Sequence, residues 1–243
     1  MPDPFQGKRW WVVGASHGLG AALARQLAGQ GAQVVLSARS RDKLDAVAQD
    51  LGGAEVVPMD VTDTASVDQA VAQAGQVDAL LWCVGNYEPL ATRDWDTAKV
   101  EAMFDVNLMG AVRLLGRVVP DMAARDAGHV VIIGSLSGFR SLPGAIGYDA
   151  SKAGLMHLAG NLHADLHKTN VTVQLANPGF IKTRLSDKND FDMPQIMAPE
   201  KAADHVMGAI RSGRFQTSFP RPFSWLFTSG WLIPRRLFLR IIG

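Results

Sequence analysis

The chain has 243 residues, of which 47% are hydrophobic and 19% charged, the size and apolarity of one α/β domain with a large buried core. A net charge of +1 excludes a global field that would draw nucleic acid, and a single cysteine, Cys83, excludes an internal disulfide framework. That cysteine sits in an apolar run as a structural thiol suited to a reducing cytosol, and no apolar leader or span of ~20 apolar residues is evident, so neither a signal peptide nor a transmembrane helix is expected.

Taken in order, Trp10 to Val13 reads as a short buried strand. It runs into Gly14-Ala15-Ser16-His17-Gly18-Leu19-Gly20 and then an amphipathic helix to about Gly29. Strand, glycine turn and helix in this order form an anion site. Gly14 permits the sharp turn, and Gly18 and Gly20 leave room for a pyrophosphate at the helix N-terminus, where free N–H groups and the dipole attract negative charge. The spacing is G-x-x-x-G-x-G rather than the commoner G-x-G-x-x-G.

A second strand, Gln33 to Ser37, ends in Ala38-Arg39. An acid here would bond the ribose 2′-OH of NAD; a guanidinium suits a phosphate, so NADP(H) is expected over NAD(H), with His17 a candidate to assist. A helix from Asp42 to Leu51 and a strand from Glu55 to Met59 follow. Asp60 then either bonds an adenine amino group or caps the helix Ala65 to Ala74. A fourth strand, Val77 to Val84, leads into Gly85, which would let the backbone pass close to a ribose.

One long helix is expected from Asp94 to Ala124. Within it Asn107 lies among apolar neighbours, as a structural hydrogen-bonder or as a holder of ordered water. A fifth strand, Val130 to Gly134, delivers Ser135. The next helix, running to about Lys168, carries Tyr148 and Lys152 four residues apart, hence on one face. A nearby cation favours the ionised phenol, which would make Tyr148 a general acid–base. Val171 to Ala176 is a sixth strand, ending at Asn177-Pro178-Gly179. Alternating strands and helices with short links predict a parallel sheet covered on both faces, with ligands at the strands' C-terminal ends.

The glycine turn at 14–20, Asp60, Asn107, Ser135, Tyr148, Lys152 and Pro178-Gly179, in this order and spacing, resemble the classical short-chain dehydrogenase/reductase family over residues 8–215. The resemblance implies a single Rossmann-type three-layer α/β/α domain with a mostly parallel seven-stranded sheet and a nicotinamide cofactor. It implies Tyr148 as the acid in reduction, Lys152 lowering its pKa and holding the nicotinamide ribose, and Ser135 orienting a substrate carbonyl. Asn107 would anchor a water in a relay through Lys152. The cofactor-contacting set it implies comprises Gly14, Ser16, His17, Gly18, Leu19, Gly20, Arg39, Asp60, Val61, Val84 and Gly85. Tyr148, Lys152, Pro178, Gly179, Ile181 and Thr183 complete it. The sequence departs from the family at Val13, where threonine is usual, and at Trp82-Cys83-Val84-Gly85, where an Asn-Asn-Ala-Gly stretch normally braces the adenine strand.

The function expected is NADPH-dependent reduction of a carbonyl on a small, lipophilic molecule, or the reverse oxidation. The alternative is a cofactor-binding regulatory or scaffold protein of the same fold. Residues 184–198 read either as a substrate lid or as a variable surface loop, with Arg184 and Arg140 as possible grips for a carboxylate. His163 and His167, spaced i,i+4, lack a third partner, so no metal site is expected. Leu155, Leu158 and Leu162 suit the core or the interface of a homodimer or homotetramer. The catalytic domain is expected to span 1–219. Beyond it, 220–243 interleaves arginines with Phe223, Trp225, Phe227, Trp231 and Phe238 in two pieces divided at Pro234. Such a tail fits peripheral contact of a cytoplasmic protein with a membrane, a cap on the substrate pocket, or an oligomer contact.

Overall fold

The computed structural model describes residues 3–229 and 232–242, so Trp231 of the tail reading lies outside the described residues. The strands β1 (Arg9–Val13), β2 (Gln33–Ser37), β3 (Glu55–Val56), β4 (Ala79–Trp82), β5 (Gly128–Ile133), β6 (Val171–Pro178) and β7 (Gln216–Phe219) form one sheet. Their order is β3-β2-β1-β4-β5-β6-β7, and every adjacent pair is parallel. The connections place helices on both faces: α1 (Gly18–Gly29), α2 (Arg41–Asp50), α3 (Thr64–Ala74), α4 (Thr97–Phe104), α5 (Gly110–Ala124), α6 (Ile146–Leu166) and α7 (Pro199–Ser212). The Rossmann-type three-layer α/β/α architecture is therefore as expected.

Side chains alternate across the pleat, which explains the continuous apolar runs. On β1, Trp10 and Val12 pack with α1, α2 and α7, whereas Trp11 and Val13 pack with α3, α5 and α6. Strand order reverses on either side of β1 and β4, which opens a crevice at their C-terminal ends.

Several boundaries differ from the sequence reading, each for a local reason. The regular pairing of β3 stops at Val56, although the Val57 and Met59 amides still donate to the Leu36 and Ala38 carbonyls at 2.9 and 3.0 Å. The helix expected over 94–124 is broken at both ends of its first half. Asp96 accepts from the Lys99 N–H at 3.2 Å and starts α4 there, and a π turn, Asp105–Met109, separates α4 from α5. The wide turn carries Asn107 to full burial. Asp60 does not cap α3; Asp63 does, accepting from the Ala65 N–H at 3.0 Å.

The tail folds back as two short helices, α8 (Trp225–Thr228) and α9 (Arg235–Ile242), the second starting directly after Pro234. Phe223, Phe227 and Phe238 pack edge to face with one another and against Leu136. The Arg140 guanidinium lies 4.1 Å from the Phe238 ring centre and donates to the Ile233 carbonyl at 3.1 Å, so it serves the tail rather than a substrate. The tail is thus part of the domain's packing. Among the described residues no helix is long and apolar enough to cross a membrane.

Candidate active site

A cleft of about 500 Å³ opens at the C-terminal ends of β1, β2, β4, β5 and β6. Of the residues assigned from sequence to cofactor binding or proton transfer, all but Asn107 line it. At one end the chain leaves β1 through Gly14, whose φ is +93° and whose notional Cβ would sit 2.5 Å from the Cys83 carbonyl oxygen. A Cβ at Gly20 would sit 2.1 Å from the Gly14 carbonyl oxygen, so the turn closes on the helix only with glycine there. The resulting cradle presents the N-terminus of α1, which suits a pyrophosphate.

Beside it, Arg39 and Lys43 line the same cleft. Burial lowers the His17 pKa, and the charges of Arg184 and Lys43 lower it further. Arg39 and Lys43 thus put two cations at this end of the cleft. Lys43 was not read from sequence, although its spacing of four from Arg39 was available as a signal. Asp60 also lines this end of the cleft. Burial raises its pKa, but the Thr62 amide and hydroxyl, at 2.9 and 2.7 Å, together with Arg39 and Arg113, more than offset this and hold it below the ordinary value.

At the other end stand the proton-transfer candidates. Ser135 ends β5, and Tyr148 and Lys152 project from the first turns of α6. The Lys152 ammonium is buried and donates to the Ile133 and Val84 carbonyls at 3.1 and 3.3 Å. Burial drives its pKa down to about 8, with the Cys83 thiol drawing it partly back. It lies 5.8 Å from the centre of the Tyr148 ring. Burial pushes the Tyr148 phenol well above its ordinary value. A hydrogen bond with Ser135 draws it back in part, while Asp149, Tyr87 and Cys83 raise it again. Lys152, its ammonium turned to the two carbonyls, is not among the groups that shift this pKa. Tyr148 is accordingly held in its phenol form.

Asn107 makes structural hydrogen bonds. Its Oδ1 accepts from the Asn86 N–H at 2.6 Å, and its Nδ2 donates to the Asn86 carbonyl and to Ser151 Oγ, both at 2.9 Å. It thereby ties the loop after β4 to α6, next to Lys152.

Residues 184–198 cross the cleft as an irregular segment pinned at its ends by the Ile181–Met197 bridge. Arg184 rests against the His17 ring, its Nη2 2.9 Å from Nδ1. Asn189 accepts from the Tyr87 hydroxyl at 2.8 Å, and Lys188 pairs with Glu88 and donates to the Tyr87 carbonyl at 2.8 Å. Tyr87 also stands edge-on to Tyr148, with ring centres 5.2 Å apart. Phe180, Phe191, Phe223 and Phe227 form the outer wall, two of them from the tail. Tyr87, Ser137 and Asp149 were missed in the sequence, for only tertiary packing brings them here, whereas Phe223 and Phe227 stand where the pocket-cap reading of the tail would put them. Elsewhere, His163 stacks on Phe215 with ring centres 4.2 Å apart, and His167 pairs with the Ala164 carbonyl.

Comparison with known proteins agrees with this geometry. A sequence model of the short chain dehydrogenase family matches residues 8–193. An uncharacterized oxidoreductase of Myxococcus xanthus is 35% identical over 217 residues, covering 86% of each chain. Another, from Staphylococcus haemolyticus, is 32% identical over 205 residues, or 82% of this chain and 89% of the relative. Among solved structures, a short chain dehydrogenase from Burkholderia cenocepacia in complex with NADP superposes with a TM-score of 0.86 at 25% identity, covering 98% of this chain and 99% of that one. A short chain dehydrogenase/reductase family protein gives 0.80 at 31% identity, covering 89% and 95%. The glycine cradle, the buried lysine and the tyrosine one turn before it thus stand in a chain that belongs to the short-chain dehydrogenase/reductase family of oxidoreductases.

Proposed function

We propose that this protein reduces a carbonyl to an alcohol, or runs the reverse oxidation, with NADPH preferred over NADH and Tyr148 as the acid/base. The observation that carries the reading is the meeting of Tyr148, Ser135 and buried Lys152 in the same cleft as the Gly14–Gly20 cradle. The residues fit a nicotinamide dinucleotide: the turn through Gly14 and Gly20 closes so tightly that only glycine is tolerated, which presents the N-terminus of α1 to the cleft, and Arg39 and Lys43 add charge for a 2′-phosphate. When bound, the cofactor supplies the hydride. The chain's part is position and the proton. Tyr148, kept in its phenol form, donates to the carbonyl oxygen as charge builds there. Ser135 offers that oxygen a second hydrogen bond. Lys152 holds positive charge one helical turn away and presents its remaining donor capacity to the ribose. Phe180, Phe191, Phe223 and Phe227 exclude water and favour a lipophilic substrate.

The non-enzymatic alternative draws support from Trp82 and Cys83, which replace polar braces with apolar bulk and leave Trp82 Nε1 buried without a partner. The complete proton-transfer set outweighs it. We also assign the protein to the cytoplasm as a homo-oligomer that touches anionic membranes through 220–243. The support is that α9 turns Phe238 inward and leaves Leu237, Leu239 and Ile241 exposed among arginines.

The test is NADPH oxidation against a panel of aldehydes and ketones. Tyr148→Phe is expected to lower turnover by at least about a hundredfold while nucleotide binding, read by fluorescence, is retained. Full activity in that variant removes the mechanism.

A further inference from the structure

Ser135 ends β5 and caps the short turn Leu136–Gly138, its Oγ accepting the Ser137 N–H at 3.2 Å. The same Oγ lies 3.0 Å from Ser137 Oγ. Beyond Ser137 lies Asp149, the residue after Tyr148, only 5% exposed. Its Oδ2 accepts from the Leu142 N–H at 2.6 Å. Its Oδ1 is buried with no hydrogen-bond partner, and Ser137 is the side-chain hydroxyl that draws the carboxyl's pKa down. Four polar groups, Tyr148, Ser135, Ser137 and Asp149, therefore form a file along the wall of the cleft.

Resting on the carbonyl-reductase reading, we propose that Asp149 is a positioning residue for proton transfer: acting through Ser137, it sets the direction in which the Ser135 hydroxyl donates. A hydroxyl has one proton to give and two lone pairs, and one lone pair of Ser135 is already taken by the Ser137 N–H. An ionised carboxylate can only accept. Ser137 then donates to Asp149, Ser135 donates to Ser137, and the Ser135 proton points away from the substrate. A protonated Asp149 donates instead. Ser137 then donates back to Ser135, and the Ser135 proton is free for the carbonyl oxygen. The protonated state is the one fit for reduction.

Burial raises the Asp149 carboxyl to about 6, against the pull of the Leu142 amide and Ser137, which puts the reversal near neutrality. The other titratable groups facing this file are Tyr148 and Lys152 on α6, Cys83 after β4, and Tyr87 in the next loop. Glu88 and Asp190 bear on Tyr87. Arg140, from the loop after β5, is turned to the tail.

The experiment compares the pH profile of kcat/KM for reduction in the parent, Asp149→Asn and Ser137→Ala, with the carboxyl band followed by infrared titration. In the parent, reduction should fall on the order of a hundredfold as pH rises through a limb centred near 6, the low end for losing one donor at a developing oxyanion. Asparagine can accept from Leu142 while its amide donates to Ser137, so Asp149→Asn should keep the low-pH rate and lose the limb. Ser137→Ala should also lose the limb and should move the infrared midpoint of Asp149 upward, because a donor to the carboxylate is gone. A limb that survives in both variants overturns the proposal. So does an infrared midpoint unmoved by Ser137→Ala, whether or not any carbonyl is reduced. A moved midpoint in a protein that reduces no carbonyl supports the coupling and sinks the reductase reading alone.

Discussion

Two side chains in the cleft are charged groups taken out of water, and each leaves a mark on stability. Asp149 has its carboxyl raised from 3.8 to about 6 by burial, so the folded state binds a proton that the unfolded chain has released. Its penalty is absent below 3.8, grows as pH rises toward 6, and is complete above that, at about 3 kcal/mol. Asp149→Asn should therefore gain about 2–3 kcal/mol over the parent between roughly pH 4 and pH 8, read from urea unfolding at both. Lys152, lowered from 10.5 to about 8, carries its penalty below 8 and is relieved as pH rises from there to 10.5. At the cradle's rim, Arg39 and Lys43 are the cations that the proposed NADPH preference rests on. Replacing both with alanine should weaken NADPH binding about tenfold to a hundredfold for each charge-assisted bond lost and leave NADH binding unchanged, measured by fluorescence titration.

At the scale of elements, the π turn is the joint that brings α6 to the strand ends. It puts Asn107 where one amide closes both backbone groups of Asn86 and holds Ser151. Asn107→Ala leaves the half-buried N–H and carbonyl of Asn86, and the buried Ser151 hydroxyl, without this partner. It should cost about 2–4 kcal/mol and lower kcat more than it raises KM, because α6 carries the proton donor. Denaturant unfolding and steady-state kinetics together check both. Much of this arrangement was legible in the sequence. The strands were readable because a sheet covered on both faces needs unbroken apolar runs, and Trp10 to Val13 or Val130 to Gly134 admit no other face pattern. The glycine turn and the Tyr148–Lys152 spacing were readable because sterics and helical period act over a few residues. The π turn was not, since one extra residue in a helix leaves the surrounding apolar period almost intact. Nor was the role of Asp149 visible: a carboxyl beside Tyr148 looks solvated until the turn at 136–138 and the Leu142 loop are folded over it.

For the whole molecule, the tail adds to the wall of the cleft and leaves an apolar, basic face exposed. Its inner side, Phe223, Phe227 and Phe238, is continuous with the domain's packing, while Trp225, Leu232, Leu237, Leu239 and Ile241 are between 40% and 63% exposed. The cations Arg235, Arg236 and Arg240 stand among these exposed groups. Reversing all three to glutamate should abolish cosedimentation with anionic vesicles, since each arginine is worth about 1 kcal/mol at such a surface, while reduction of a soluble carbonyl persists. Vesicle binding equal to that of the parent would show that the exposed face serves another contact.

Phe223 and Phe227 enter the wall of the cleft from downstream of every strand. Nucleotide affinity and proton chemistry are therefore encoded upstream, and the shape of the chamber partly in a separate, later stretch. Drift after residue 220 can retune which molecule is accepted without disturbing the nucleotide cradle or the Tyr148–Lys152 pair. A homologue with an intact first two hundred or so residues and a different ending should share this enzyme's cofactor and not its choice of substrate.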